Sequence, residues 1–308
     1  MPVMVEVQAL SKRYGALRAV DEVSFDVGQG EIFGFLGPNG AGKTTCLEMM
    51  EGLRKPDSGK VMLRGFPVWP DPGKVKNLIG VQLQATSFYE ELKVQEILRL
   101  FAALYGRKIT PPELDGLLEM GGLSEKRHAY TNTLSGGQKQ RLAIITALVN
   151  DPEVLFLDEP TTGLDPQARR RSWEIIKELQ GRGKTIILTT HYMEEAENLC
   201  DRVAIIDQGK IVAIDQPQKL VDQLGRKARI SFTGSRLLDS ALLARVGVEA
   251  VKADAGDGQV VFAADPGQTI ALLLEIARQE GIAINNLHVS TANLEDVFLA
   301  LTGKELRD

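Results

Sequence analysis

The run Gly37-Pro38-Asn39-Gly40-Ala41-Gly42-Lys43-Thr44 constrains this chain more than any other stretch. It fits the spacing G-x-x-x-x-G-K-[ST], follows an apolar strand at 31–36 and opens a helix expected to run from Thr45 to Met50. Such a loop needs a strand to deliver it and a helix N-terminus behind it. Its glycines let backbone N–H groups converge on phosphate oxygens, and the helix dipole favours the same negative charge. Lys43 is placed to reach β- and γ-phosphates, and the Thr44 hydroxyl to ligate Mg2+. Thr45, at the helix start, counts with the loop as a nucleotide-binding residue. The motif implies a nucleotide without saying which machine uses it.

Other short apolar runs, at 154–157, 185–188 and 203–206, alternate with helical patterns up to about residue 215. That alternation predicts an α/β unit with a largely parallel core sheet. Between about 85 and 150 the texture is mostly helical. Val94, Ile97, Leu98, Phe101 and Ala102 recur at helical spacing, which predicts a helical lobe inserted into that unit.

From about 217 to 308 the pattern becomes βαββαβ with a further helix, so a small C-terminal α+β domain is expected after an ATPase-sized domain at 1–216. The expected elements are a strand at 228–232, a helix at 237–245, and strands at 248–253 and 259–263 parted by Gly256-Asp257-Gly258. A helix follows with Ile270, Leu273, Leu274 and Ala277 on one face, then a strand at 283–289. Asn293 is placed to cap a terminal helix whose stripe is Leu294, Val297, Phe298 and Leu301. That stripe follows a complete unit, so it is expected to dock elsewhere, on a partner subunit or the ATPase domain of a dimer mate; the alternative is that it closes the C-terminal domain's own core.

The acidic end of a second strand completes the phosphate chemistry. In Val154-Leu155-Phe156-Leu157-Asp158-Glu159, Asp158 would hold Mg2+ through water, and Glu159 would orient and deprotonate an attacking water. A net charge of −5 argues against nucleic acid as a partner. The basic run Arg169-Arg170-Arg171 reads as a solvated helix face. No stretch reaches the roughly 18 to 20 apolar residues that cross a bilayer, and residues 1–10 lack a signal-peptide layout. A cytoplasmic protein is expected. Cys46 and Cys200 match no metal spacing and read as buried thiols.

The stretch Leu134-Ser135-Gly136-Gly137-Gln138-Lys139-Gln140-Arg141 resembles the LSGGQ signature of the ABC ATPases. Physically, Ser135, Gly136 and Gly137 open a helix at 138–148 and offer a hydroxyl and bare N–H groups to an anion. Two adjacent glycines cost about 1 kcal/mol each if helical, more than a simple cap requires. Further motifs follow in that family's order. Tyr14 stands where the family has an aromatic that stacks on adenine. Gln84 resembles the Q-loop glutamine, which touches Mg2+ and water. Gly163-Leu164-Asp165-Pro166 resembles the D-loop, and Thr189-Thr190-His191 the switch-histidine loop. The stretch 293–303 and His191-Tyr192-Met193-Glu194-Glu195-Ala196 resemble the drug-resistance exporter branch. Lys93 departs from it, since relatives more often have threonine there.

The resemblance implies an α/β P-loop ATPase domain with an inserted helical lobe. It further implies ATP and Mg2+ as cofactors, hydrolysis of ATP, and a separate transmembrane permease as partner. Localisation would be on the inner face of the cell membrane, through that permease. ATP would be sandwiched in a homodimer. One subunit would supply the loop from Gly37 through Thr45, and the other Ser135, Gly136 and Gly137. Against it stand a soluble ABC ATPase of translation or DNA repair and a regulatory nucleotide sensor. The first usually carries a second cassette or a long coiled coil, and Glu159 and His191 speak against the second.

Overall fold

The computed structural model describes residues 2–84, 87–223, 228–235, 238, 243, 250–252 and 258–303. The chain forms two compact units, Met1–Ile214 and Asp215–Asp308.

In the first unit, β1 (Val3–Tyr14) and β2 (Leu17–Gly28) form a hairpin that leads into β3 (Ile32–Leu36). Every residue of β3 is buried, as expected of a strand covered on both faces. Helix α1 (Lys43–Met50) follows, then β4 (Ser58–Leu63), β5 (Phe66–Pro67) and β6 (Ile79–Gln82). The lobe comes next, with α2 (Val94–Leu104), α3 (Pro111–Met120) and α4 (Gly136–Thr146). The unit closes with β7 (Val154–Asp158), α5 (Pro166–Gly181), β8 (Thr185–Thr190), α6 (Met193–Leu199), β9 (Arg202–Asp207) and β10 (Lys210–Asp215).

Two sheets result, ordered β10-β9-β3-β8-β7-β6 and β2-β1-β4-β5. In the first, β3 pairs parallel with β8 and β9, and β7 pairs parallel with β6 and β8. The second is antiparallel. One core joins them: Val5, Val7 and Leu10 share a cluster with Phe33, Phe35, Met49 and Phe156. Phe25 stacks on Phe33 at 5.1 Å and meets Phe35 edge-on at 5.2 Å. Cys46 and Cys200 are both buried.

The second unit begins with α7 (Pro217–Gln223) and has a sheet ordered β12-β13-β11-β14, with β11 at Ala228–Gly234, β12 at Ala250–Lys252, β13 at Gly258–Ala263 and β14 at Ile284–Thr291. Helix Pro266–Gln279 lays Leu273, Ile276 and Ala277 on Ile230, Phe232 and Val261. The expected helix at 237–245 and the Gly256-Asp257 turn lie largely outside the described residues.

The terminal helix Leu294–Thr302 corrects one expectation. Asn293 does cap it, accepting from the Asp296 N–H at 3.1 Å. Its stripe, however, is not left for a partner. Leu294, Val297 and Phe298 are buried, the helix packs on α7, and Arg229 of β11 pairs with the buried Asp296 at 3.0 Å. Of the stripe only Leu301 stays exposed. The reason is that α7 supplies a second apolar surface, centred on the buried Leu220, beyond the sheet's own core.

Candidate functional site

Parallel pairing brings four strand ends to one edge of the six-stranded sheet. Leu36 stands opposite Thr190, Asp158 opposite Thr189, and Gln82 opposite Leu157. The loop 37–42, the pair Asp158-Glu159 and His191 therefore all leave from carboxyl ends, where open α/β sheets bind their ligands. Gly42 makes the turn into α1 at φ 104, and a Cβ there would stand 2.2 Å from the Ala19 carbonyl oxygen of β2. No other residue type fits both demands.

That turn also corrects the expected helix start at Thr45. With Gly42 as the cap, α1 begins at Lys43, and Thr45 is a half-buried residue inside the first turn. The first helical bond runs from the Cys46 N–H to the Gly42 carbonyl at 2.9 Å. The N–H groups of Lys43, Thr44 and Thr45 precede it, so the helix geometry leaves them available to an anion at this end. Thr45 thus keeps its place beside the phosphate loop, through its backbone position. It does not join the side-chain cluster described next.

At that edge the other predicted residues meet. Lys43 Nζ donates to the Gly37 and Pro38 carbonyls at 2.7 and 3.2 Å and lies 3.7 Å from Glu159 Oε1. His191 Nδ1 reaches the same Oε1 at 3.4 Å. Glu159 Oε2 accepts from Gln84 Nε2 at 3.1 Å and from the Thr162 hydroxyl at 3.0 Å. Thr44 Oγ1 donates to Asp158 Oδ1 at 3.2 Å. Glu159 holds a left-handed backbone, φ 48, while its N–H donates to Thr189 Oγ1 at 3.0 Å. That hydroxyl in turn donates to Asp158 Oδ1. Thr189 and Thr162 thus set the two carboxylates, and sequence reasoning gave them no such role. Only their place beside Asp158-Glu159 and His191 could have marked them.

Burial and charge act in opposite directions here. Contact with His191, then the charge of Lys43, outweighs burial and holds the Glu159 carboxyl down to about 2. Burial is the largest influence on Asp158 and raises it, against the bonds from Thr189 and Thr44. Burial also lowers Lys43, although Glu159 and Asp158 work to restore it. The cluster is a compensated set of charges taken out of water.

Glu51, at the end of α1, was not foreseen. Burial first, then the charges of Asp158 and Glu48, push its carboxyl up to about 8. A folded pKa above the unfolded value means that the folded chain binds the extra proton between the two. Stability therefore falls as pH rises through that window and is lowest above it. Glu51→Gln is expected to be neutral near pH 4.5 and stabilising at pH 9, by on the order of 5 kcal/mol. Chemical denaturation at both pH values checks this, and an equal gain at each would contradict it.

Other predicted residues lie outside the cluster. The signature helix α4 begins at Gly136, earlier than expected, because Ser135 and Gln138 form a capping box: Ser135 Oγ accepts from the Gln138 N–H at 3.3 Å, and Gln138 Oε1 from the Ser135 N–H at 3.0 Å. Both glycines are therefore helical, and a Cβ on Gly137 would stand 2.8 Å from Ala168 Cβ of α5. Asp165 caps α5 by accepting from the Ala168 N–H at 2.8 Å. Tyr14 is exposed at the end of β1, with the Arg54 guanidinium 5.4 Å from its ring centroid. Lys93 starts α2 without a hydroxyl cap; its N–H donates to Glu96 Oε2 at 2.9 Å.

Comparison with known proteins fits this geometry. The family model described as ABC transporter matches residues 20–162. Nod factor export ATP-binding protein I of Ralstonia nicotianae is 40% identical over 308 residues, 99% of this chain and 95% of that protein. The chain belongs to the ATP-binding subunits of ABC transporters. It is an ATPase of that family, with an α/β cassette that binds ATP. A solved ATP-binding subunit of an ABC transporter superposes with a TM-score of 0.64 at 31% identity, covering 72% of this chain and 93% of that one. A dimeric ATP-binding cassette in a post-hydrolysis state, bound to ADP and Pi, gives 0.63 at 27% identity, covering 69% and 98%. ABC ATP-binding subunits work with a membrane permease, and among the described residues no helix is long and apolar enough to cross a membrane.

Proposed function

We propose that this subunit drives outward transport by a separate membrane permease, hydrolysing Mg2+-ATP at sites shared between two copies of the chain. The observation that carries the reading is the convergence of Lys43, His191, Gln84 and Thr162 on the single carboxylate of Glu159. Lys43 and the loop from Gly37 through Thr45 bind the phosphates, and Tyr14 stacks on the adenine. Glu159 orients the attacking water and accepts its proton, Gln84 holds that water, and His191 contacts the γ-phosphate. Ser135, Gly136 and Gly137 of the second copy close over the same phosphate, with Asp165 beside it.

Mg2+ suits the donor set, since the Thr44 hydroxyl and Asp158 carboxylate are hard oxygen ligands 3.2 Å apart. These two and Gln84 would hold the ion, which when bound would neutralise charge on the phosphate oxygens. Outward transport is supported by the exporter-like stretches at 191–196 and 293–303 and by the export role in the name of the Ralstonia relative. Within the exporters we place the chain near the drug-resistance branch on those same stretches. The permease attaches the subunit to the inner face of the membrane.

The shared site predicts association that depends on nucleotide. Sedimentation of Glu159→Gln is expected to show a monomer alone and a homodimer with Mg2+-ATP. A monomer under both conditions at high protein concentration would overturn the sandwich.

A further inference from the structure

The run Arg169-Arg170-Arg171 has no part in the site above, and the structure does not treat its members alike. Arg171 points to water and pairs with Glu174 at 2.7 Å, its side chain 52% exposed. Arg169 turns inward at 20% exposure. Its guanidinium lies 4.3 Å from the ring centroid of Tyr192 and 4.0 Å from Glu194. The Tyr192 ring also meets the His191 imidazole, with centroids 4.1 Å apart and the planes tilted by 45°. The phenol thus touches both a cation on α5 and the switch histidine.

A second tie lies one helical turn further along α5. Trp173 Nε1 and the Thr161 hydroxyl both donate to Glu195 Oε1, at 3.0 and 2.8 Å. Glu195 is buried on α6, which starts two residues after His191. Arg169 and Trp173 are four residues apart, so both ties leave the same face of α5. The Tyr192 N–H also donates to Thr190 Oγ1 at 2.9 Å, fixing the backbone of the short loop that carries the imidazole.

We propose that Tyr192 is a positioning residue for His191, held by Arg169, so that the first turn of α5 governs where the imidazole stands against Glu159. This rests on the roles given above to His191 and Glu159. Tyr192 is only half-buried, so its ring contributes little to a core, yet it rests against the imidazole with ring centroids 4.1 Å apart. Arg169 keeps the ring from swinging out through a cation–π contact. Because α5 begins at the cap Asp165, a shift of that turn reaches the imidazole through two contacts, Arg169 on Tyr192 and Tyr192 on His191.

The test is steady-state ATPase on the full chain with Mg2+-ATP, alongside thermal melts and nucleotide affinity. Tyr192→Ala is expected to lower kcat about tenfold, with KM and the melt little changed, since small misplacements of a reacting group act on turnover. Tyr192→Phe should restore parent turnover, because the ring and not the hydroxyl makes both contacts. Arg169→Ala should cost about threefold, Arg169→Lys should recover part of it, and the double alanine variant should be no worse than Tyr192→Ala, as for residues acting in series. Parent kcat in Tyr192→Ala, or a joint fall of kcat, affinity and melt, would overturn the proposal. Glu159→Gln serves as the control: parent turnover there would remove the site reading itself, whereas an inactive Glu159→Gln beside a normal Tyr192→Ala would remove only this inference.

Discussion

Glu159→Gln is expected to reduce kcat by about 100- to 1000-fold while ATP binds at least as tightly as in the parent. The first half follows from the loss of the proton acceptor. The second follows from what the carboxylate holds in this structure. Its Oε1 faces both Lys43 and His191, the two groups that the proposed mechanism turns toward the γ-phosphate. ATP must therefore draw them away from an anion already present. The amide keeps the size of the side chain and a partner for Thr162, but it releases Lys43 and His191 from a competing charge. Single-turnover phosphate release gives the rate and equilibrium titration the affinity. Turnover at the parent rate would show that another group accepts the proton.

Lys43→Ala should weaken ATP binding by about 100-fold, the equivalent of about 3 kcal/mol. Lys43 is buried, and its ammonium is held by the Gly37 and Pro38 carbonyls, so it is aimed before any ligand arrives. Removing it deletes a charge-assisted bond and leaves Asp158 and Glu159, both buried, without their nearest fixed cation. Phosphates would then approach two carboxylates less well compensated than before. Affinity measured on a variant whose melt confirms folding decides the matter, and a dissociation constant within a few-fold of the parent would contradict the assignment.

Much of the site was legible because its loops demand particular residue types. Gly42 sits at a φ that favours glycine against a facing carbonyl, whereas the capping box of Ser135 and Gln138 went unread and α4 was placed two residues late. The start of α1 was placed two residues late, at Thr45, because Lys43 and Thr44 read as loop ligands although they already belong to the helix. The threonines that orient Asp158 and Glu159 were not legible, since a hydroxyl at a strand end forms no pattern by itself. The antiparallel sheet at the N-terminus also escaped. In β1 the buried residues are Met4, Val5, Val7 and Leu10, and register shifts near Val3, Val7 and Leu10 break the period of two that would announce a strand. The terminal stripe was read correctly as apolar but sent to the wrong neighbour. An amphipathic face states that something covers it, not what.

Gly137 has a mechanical consequence. It lets α4 come so close to α5 that a single added carbon would meet Ala168 at 2.8 Å. Two rods that touch at a bare point can roll against each other there, but they cannot separate without losing that fit or approach further without collision. The contact is a fulcrum. On one rod it lies beside the Ser135 turn proposed to close on the second copy's nucleotide; on the other it lies one residue before Arg169, the start of the path proposed to His191. Tilting α4 about this point would swing its 135–137 end against α5, and since the two helices cannot close further, the motion is confined to that tilt.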